Sequence, residues 1–185
     1  MGTFDDAVSR RLREQRDANS AARGQASADA TARQQAASEM TAGLQDLARY
    51  LASRITARTI ALEPKSKWYQ AVSTSPAGYV LIEHSTLSSF DVVEARTVCV
   101  LLPTGGIWHY SRVGIGMRPT SCTVDIAAQF NRGDAVSAPP YNFFVDPQTR
   151  RLSARHFYAA DDVVPPSIEP QEALADIAAR LINAS

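Results

Sequence analysis

Residues 97–112 read Thr-Val-Cys-Val-Leu-Leu-Pro-Thr-Gly-Gly-Ile-Trp-His-Tyr-Ser-Arg, and this stretch decides the fold class. Two runs of β-branched and aromatic residues flank Pro103-Thr104-Gly105-Gly106. A proline presets φ and glycines reach dihedrals closed to other residues, which is what a tight reversal needs. The stretch therefore predicts a β-hairpin. With those four residues as the loop, Leu102 opposes Ile107, and side chains alternate from that point. Val98, Val100, Leu102, Ile107, His109 and Ser111 then share one face, and Cys99, Leu101, Trp108, Tyr110 and Arg112 share the other. Both faces are half apolar. The hairpin accordingly belongs near the middle of a sheet, with a helix over one side.

Moving outward, residues 67–73 and 78–84 read as strands joined by Ser75-Pro76-Ala77-Gly78, and residues 90–95 are β-rich. Shorter strands are predicted at 113–117 and 122–126. A second hairpin, 141–145 with 151–157, turns around Asp146-Pro147-Gln148-Thr149, a type I turn composition. Residues 137–140 and 161–167 read as loops. Glu169-Pro170 opens a helix whose Leu174, Ile177, Leu181 and Ile182 form one stripe, and proline suits the first helical position because its missing N–H has no partner to lose there.

Upstream the chemistry changes. All ten prolines lie between Pro64 and Pro170, and of fourteen aromatic residues only Phe4 and Tyr50 precede Trp68. Ala, Arg and Gln dominate the first sixty residues; they lose little rotamer freedom in a helix and carry no β-branch. Thr3 and Asp6 form a capping-box pattern ahead of Phe4, Val8 and Leu12 on one helical face. Met40, Leu44, Leu47, Leu51, Ile55 and Leu62 make the strongest stripe. Between these the stripe continues only as alanine, interrupted by Asn19 and Arg33, and Gly24 and Gly43 each cost about 1 kcal/mol relative to alanine inside a helix. One unbroken rod over residues 4–62 would be about 87 Å long, so it must project, pair with another chain, or break.

The chain is thus expected to be α+β: a long N-terminal helical arm, a predominantly antiparallel sheet of five to seven strands, and a C-terminal amphipathic helix. Residues 1–38 form a polar, Ala/Arg-rich arm, helical or partly disordered. Residues 39–185 form the α+β domain, with a helix at 39–62, the sheet at 67–157 and a helix at 169–183. Strong seam residues persist for only about two heptads, fewer than a secure coiled coil shows, yet self-association through the arm remains an expectation.

Lys+Arg 19 against Asp+Glu 19 leaves no net charge, which argues against bulk electrostatic coating of nucleic acid or an anionic membrane. No apolar run approaches the ~20 residues of a membrane span, and the N-terminus lacks a basic segment followed by an apolar core, so a cytoplasmic protein is expected. The Gly-rich phosphate loops and the G-x-S-x-G elbow are absent. Cys99 and Cys122 are too far apart for a zinc ribbon and fall among apolar neighbours, as buried inert thiols do. A metal site would need His84, His109 and His156 to converge from separate strands; neither metal nor cofactor is expected.

No catalytic constellation emerges, so the leading expectation is a non-enzymatic assembly or adaptor protein, its partner another protein, a second copy, or both. A different class of function, a small-molecule-binding or hydrolytic site, would place its pocket on the sheet around Trp108, His109, Tyr110 and Arg112, with His84 as a further candidate. A third would bind nucleic acid or an acidic partner through Arg10, Arg11, Arg13 and Arg16. The arginine cluster lacks interleaved aromatics, which disfavours nucleic acid.

Overall fold

The computed structural model describes residues 2–62, 73–87, 93–113, 118–157 and 165–185. The strand predicted at 67–73 and the one extending through 114–117 fall largely outside these residues, as do residues 90–92.

The N-terminal segment is one helix, α1 (Gly2–Ala52), of 51 residues. At 1.5 Å per residue it is roughly 75 Å long. It includes Gly2 and Thr3, so Thr3 lies inside the helix rather than ahead of it. Of the outcomes expected for a rod over residues 4–62, a break occurs only after Ala52, and the polar stretch before Ala36 stays helical. The physical reason is cooperativity. Nucleation is the costly step of helix formation, and propagation through Ala, Arg and Gln is close to neutral or better. The C-terminal part of α1 is nucleated by packing: Ala36, Ala37, Met40, Leu44, Leu47, Ala48 and Leu51 are all buried. From that anchor the helix extends toward its N-terminus, and single residues such as Gly24 cost too little to stop it.

At its other end α1 stops ten residues short of the predicted Leu62. Arg54 N and Ile55 N both donate to Leu51 O at 2.9 Å. Beyond them come Ile55, Thr56, Thr59 and Ile60, whose β-branches favour extended backbone. This segment pairs with residues 73–78 instead: Arg58 and Gly78 exchange N–H···O bonds of 2.9 and 3.0 Å, and Leu62 N donates to Ser73 O at 2.7 Å. Ser75, buried, accepts from Ile60 N through its hydroxyl at 2.9 Å.

Among the described residues seven strands follow, in two antiparallel sheets rather than the single sheet expected. The first has the order β1 (Tyr79–Leu87), β2 (Val93–Leu101), β3 (Ile107–Val113), β4 (Thr120–Thr123). The second has the order β5 (Val136–Ala138), β6 (Tyr141–Val145), β7 (Leu152–His156). The strand predicted at 122–126 forms as β4, two residues earlier and ending at Thr123, and between the sheets lies α2 (Ile126–Arg132), which was not predicted. Asp125 caps it, its carboxylate accepting from Ala128 N at 2.9 Å, and Gly133 ends it in the left-handed conformation at φ 82°. β5 occupies part of the predicted loop at 137–140, and a cis Pro139–Pro140 bond turns it into β6. The β6–β7 hairpin forms where predicted; Asp146 Oδ1 accepts from Gln148 N and Thr149 N, both at 2.8 Å. The chain closes with α3 (Pro170–Asn183), Pro170 at its first turn.

One main core joins these layers. The buried stripe of α1 meets Leu101 and Ile107 of the first sheet, Phe130 of α2, Val136, Phe143 and Ala154 of the second sheet, and Ile177 of α3. Ile60 and Leu62 instead cover the opposite face of the first sheet, where they pack with Val98, Val100 and Tyr110. No described helix is long and apolar enough to cross a membrane.

The β2–β3 loop fixes the first sheet against α1. Gly105 has φ +85°, and a Cβ there would lie 2.8 Å from both the backbone N and Cα of Gln45. Gly105→Ala therefore combines left-handed strain of roughly 1–2 kcal/mol with a backbone clash. Urea unfolding should show a loss of about 2–4 kcal/mol. A Cβ at Gly24 would meet nothing within 4 Å. Gly24→Ala should instead favour the helix by about 1 kcal/mol, read as slower amide exchange around residues 20–28. Equal effects at the two sites would contradict the docking of this loop.

Candidate functional site

The register of the central hairpin decides which candidate side chains meet. Leu101 pairs with Ile107, Val100 with Trp108, Cys99 with His109 and Val98 with Tyr110. The loop therefore has five residues, Leu102 to Gly106, rather than the four expected, closed by Leu102 N to Gly106 O at 2.7 Å. The extra residue changes the faces. Val98, Val100, Trp108, Tyr110 and Arg112 now share one side, and Cys99, Leu101, Ile107, His109 and Ser111 share the other.

Trp108, Tyr110 and Arg112 thus remain together, on the side of the sheet opposite His109. Trp108 and Tyr110 are stacked, with ring centroids 6.3 Å apart and 21° between planes, beneath Ile60 and Leu62. Tyr110 is buried and Trp108 half-buried. Nearby, Arg96 Nη2 reaches Glu83 Oε1 at 2.6 Å on the same face. Aromatic packing and an ion pair make this side a second small core, which corrects the expectation of a pocket shared by Trp108, Tyr110 and His109.

His109 belongs to the other face. Cys99 and Cys122 flank it as its cross-strand partners, and His84, Thr97, Ser111 and Thr120 form the next row on that face. His84 is exposed and lies outside the cleft that His109 lines. That cleft, about 280 Å³, is formed by His109 and Ser111 of β3, Thr120 and Cys122 of β4, Gln129 of α2 and Ser137 of β5. Ser137 Oγ donates to Asn142 Oδ1 at 2.6 Å, and Gln129 Oε1 is buried with no protein partner. Burial holds the His109 imidazole below its ordinary value of 6.5, so it is neutral at physiological pH.

The chemistry of this cleft is hydrogen bonding without charge. Imidazole, hydroxyl, thiol and amide groups line it, and among the described residues no carboxylate does. A histidine base of a triad needs an acidic partner to orient its ring and stabilise its protonated form. The volume is just under the ~300 Å³ at which small-molecule sites begin. Cys99 adds no nucleophile: desolvation pushes its thiol up to about 12, so the thiolate is scarce. Cys122, by contrast, is exposed rather than buried. Among the described residues no cluster of three His, Cys, Asp or Glu side chains is arranged to hold a metal.

The remaining candidates lie on α1. Arg10, Arg11, Arg13 and Arg16 are all exposed. At about 100° per residue they are spread around the helix rather than gathered on one side, so they do not form a continuous phosphate-binding strip. Arg11 and Arg16 flank the Val8–Leu12 stripe, while Arg10 and Arg13 mingle with Asp6, Glu14 and Asp17 on the far side. From residue 6 to residue 35 no side chain of α1 is buried. The first tethers to the body are Asp29, whose Oδ1 is 3.0 Å from Arg150 Nε, and Arg33, whose Nη1 donates to Asn131 O at 3.3 Å.

No known family, curated protein or solved structure matches this chain.

Two solution measurements follow from the His109 row. A folded-state value below the unfolded one means that, as pH falls through about 6.5, the unfolded chain takes up a proton the folded one refuses. Stability should decline between pH 7.5 and 5.5, and His109→Gln should flatten that decline in urea titrations. Identical slopes for both proteins would show that the imidazole is not desolvated. In a thiol-reagent assay, Cys122 should react promptly in the native protein and Cys99 only on unfolding; two fast thiols would contradict the buried placement of Cys99.

Proposed function

We propose that the chain is a non-enzymatic assembly or adaptor protein whose α+β body is anchored to a projecting helical arm. The supporting observation is the arm itself. Residues 6–35 are helical with no buried side chain, which places about 45 Å of ordered helix outside the core that stabilises the rest of α1. A helix polar or alanine-rich on every side gains little from its own body; one of the roles open to it is to bridge through solvent between separate bodies. Two apolar residues on this arm, Val8 and Leu12, lie exposed on the same face four residues apart, the spacing of helix anchors in a groove. A reading as a hydrolytic enzyme has less behind it: the cleft beside His109 offers no acidic partner, and Trp108 and Tyr110 are occupied with packing.

Light scattering on the full chain and on a chain lacking residues 1–27 tests this. The truncation spares Asp29, Arg33 and the buried stripe, so the body keeps its contacts. The full chain should show a mass of at least two 20.0 kDa protomers and the truncated chain a monomer with an unchanged melting curve. A full chain that stays monomeric at high concentration would remove self-association from the proposal.

A further inference from the structure

The body carries a groove of its own, alongside the anchored part of α1. One section, about 930 Å³, runs between α1 and the β6–β7 turn, with Glu39, Asp46, Arg150, Arg151 and Glu169 among its walls. The next section, about 570 Å³, lies between α1 and α3 and is floored by Leu47, Tyr50, Leu174, Ala175, Ala178 and Ile182. The two sections share Gly43, Asp46, Gln171 and Leu174 in their walls and so adjoin along one channel. At this shared wall α1 and α3 are in contact: a Cβ on Gly43 would lie 2.7 Å from Leu174 Cδ1. Along α1 the channel extends from Ala32 to Tyr50, roughly 27 Å, the length of a helix of about eighteen residues.

We infer that this channel receives the N-terminal end of α1 from a second copy of the chain. This deepens the assembly reading above and rests on it. Three observations single out this occupant. Among the described residues five large apolar side chains are exposed, and three of them lie on the two surfaces concerned: Val8 (42 %) and Leu12 (53 %) on the arm, Tyr50 (46 %) on the channel. The charges lean in the same direction. Arg11 and Arg16 border the Val8–Leu12 stripe, while the apolar section of the channel carries one charged residue, Asp46, which pairs with Arg49, and the adjoining section adds Glu39 and Glu169. Its two guanidiniums are at the turn end, and Arg150 is already held by Asp29. Finally, the arm reaches: it stands clear of its own body for a distance greater than the channel is long. An amphipathic helix laid into an apolar groove with charged rims is a common recognition mode, and mutual exchange of arms would give a closed dimer.

Two single substitutions at exposed sites separate this arrangement from arm-on-arm pairing. Leu12→Asp disables the arm and leaves the channel. Ala175→Arg, on the exposed side of α3, places a cation where the basic arm would dock and leaves the arm intact. Sedimentation velocity at tens of micromolar is the readout, with far-UV circular dichroism to confirm equal helix content. Each variant alone should associate at least tenfold more weakly than the wild type. Mixed in equal amounts they should recover a one-to-one dimer, because the Ala175→Arg arm can enter the Leu12→Asp channel. Association of Ala175→Arg at wild-type strength, or no recovery on mixing, would overturn the channel while leaving assembly through the arm in place. A wild-type chain that never associates would overturn both.

Discussion

Everything in this molecule depends on the burial of one helical stripe, Ala36 to Leu51, at the point where two sheets and two helices converge. The stripe alternates large and small. Met40, Leu44, Leu47 and Leu51 supply apolar area, while Ala36, Ala37 and Ala48, with Gly43 beside them, let neighbouring elements approach closely. Truncating one such leucine typically costs about 2–5 kcal/mol, a large share of the 5–15 kcal/mol that holds a whole domain folded. The same packing sets the direction and the helicity of the arm, because helix propagates from an anchored turn far more readily than it starts afresh. Stability of the body and presentation of the arm are therefore one property.

A second consequence is the polarity gradient along the inner face of the first sheet. Near the β2–β3 loop this face is apolar, with Leu101 and Ile107 under α1. Further along the same strands it becomes His109, then Ser111, Thr97 and His84. The helix covers the apolar end, so the polar end is left against α2 and β5, and a small cleft forms there. Its neutral hydrogen-bonding groups are what remains where an apolar layer ends.

Much of this was legible in the residues. The alternation at 97–112 identified the hairpin, the stripe from Met40 to Leu51 identified the docked helix, and Asp146-Pro147 identified the second turn. Loop length was not legible: Pro103-Thr104-Gly105-Gly106 suits a four-residue turn, and only the close approach of Gly105 to Gln45 favours five. That one residue moved Cys99 onto the face of His109. Leu62 continued the helical stripe by spacing alone, yet its β-branched surroundings and the partner segment at 73–78 drew it, together with Ile60, to the other side of the sheet. Nothing local announces such a partner. The helix α2 did have a signal, Asp125 and Gly133 bracketing Ile126 and Phe130, but the β-branched run before it read as strand.

The arm brings the two levels together. A free peptide with the sequence of residues 6–35 would have to nucleate its own helix, and its alanines and arginines offer little burial in return. Joined to the stripe at Ala36, the same residues inherit a nucleus and stay helical without burying a side chain of their own. In the assembly proposed above, a segment that is helical in advance would leave less entropy to be lost on binding, so two exposed anchors, Val8 and Leu12, would count for more on this arm than on a disordered tail.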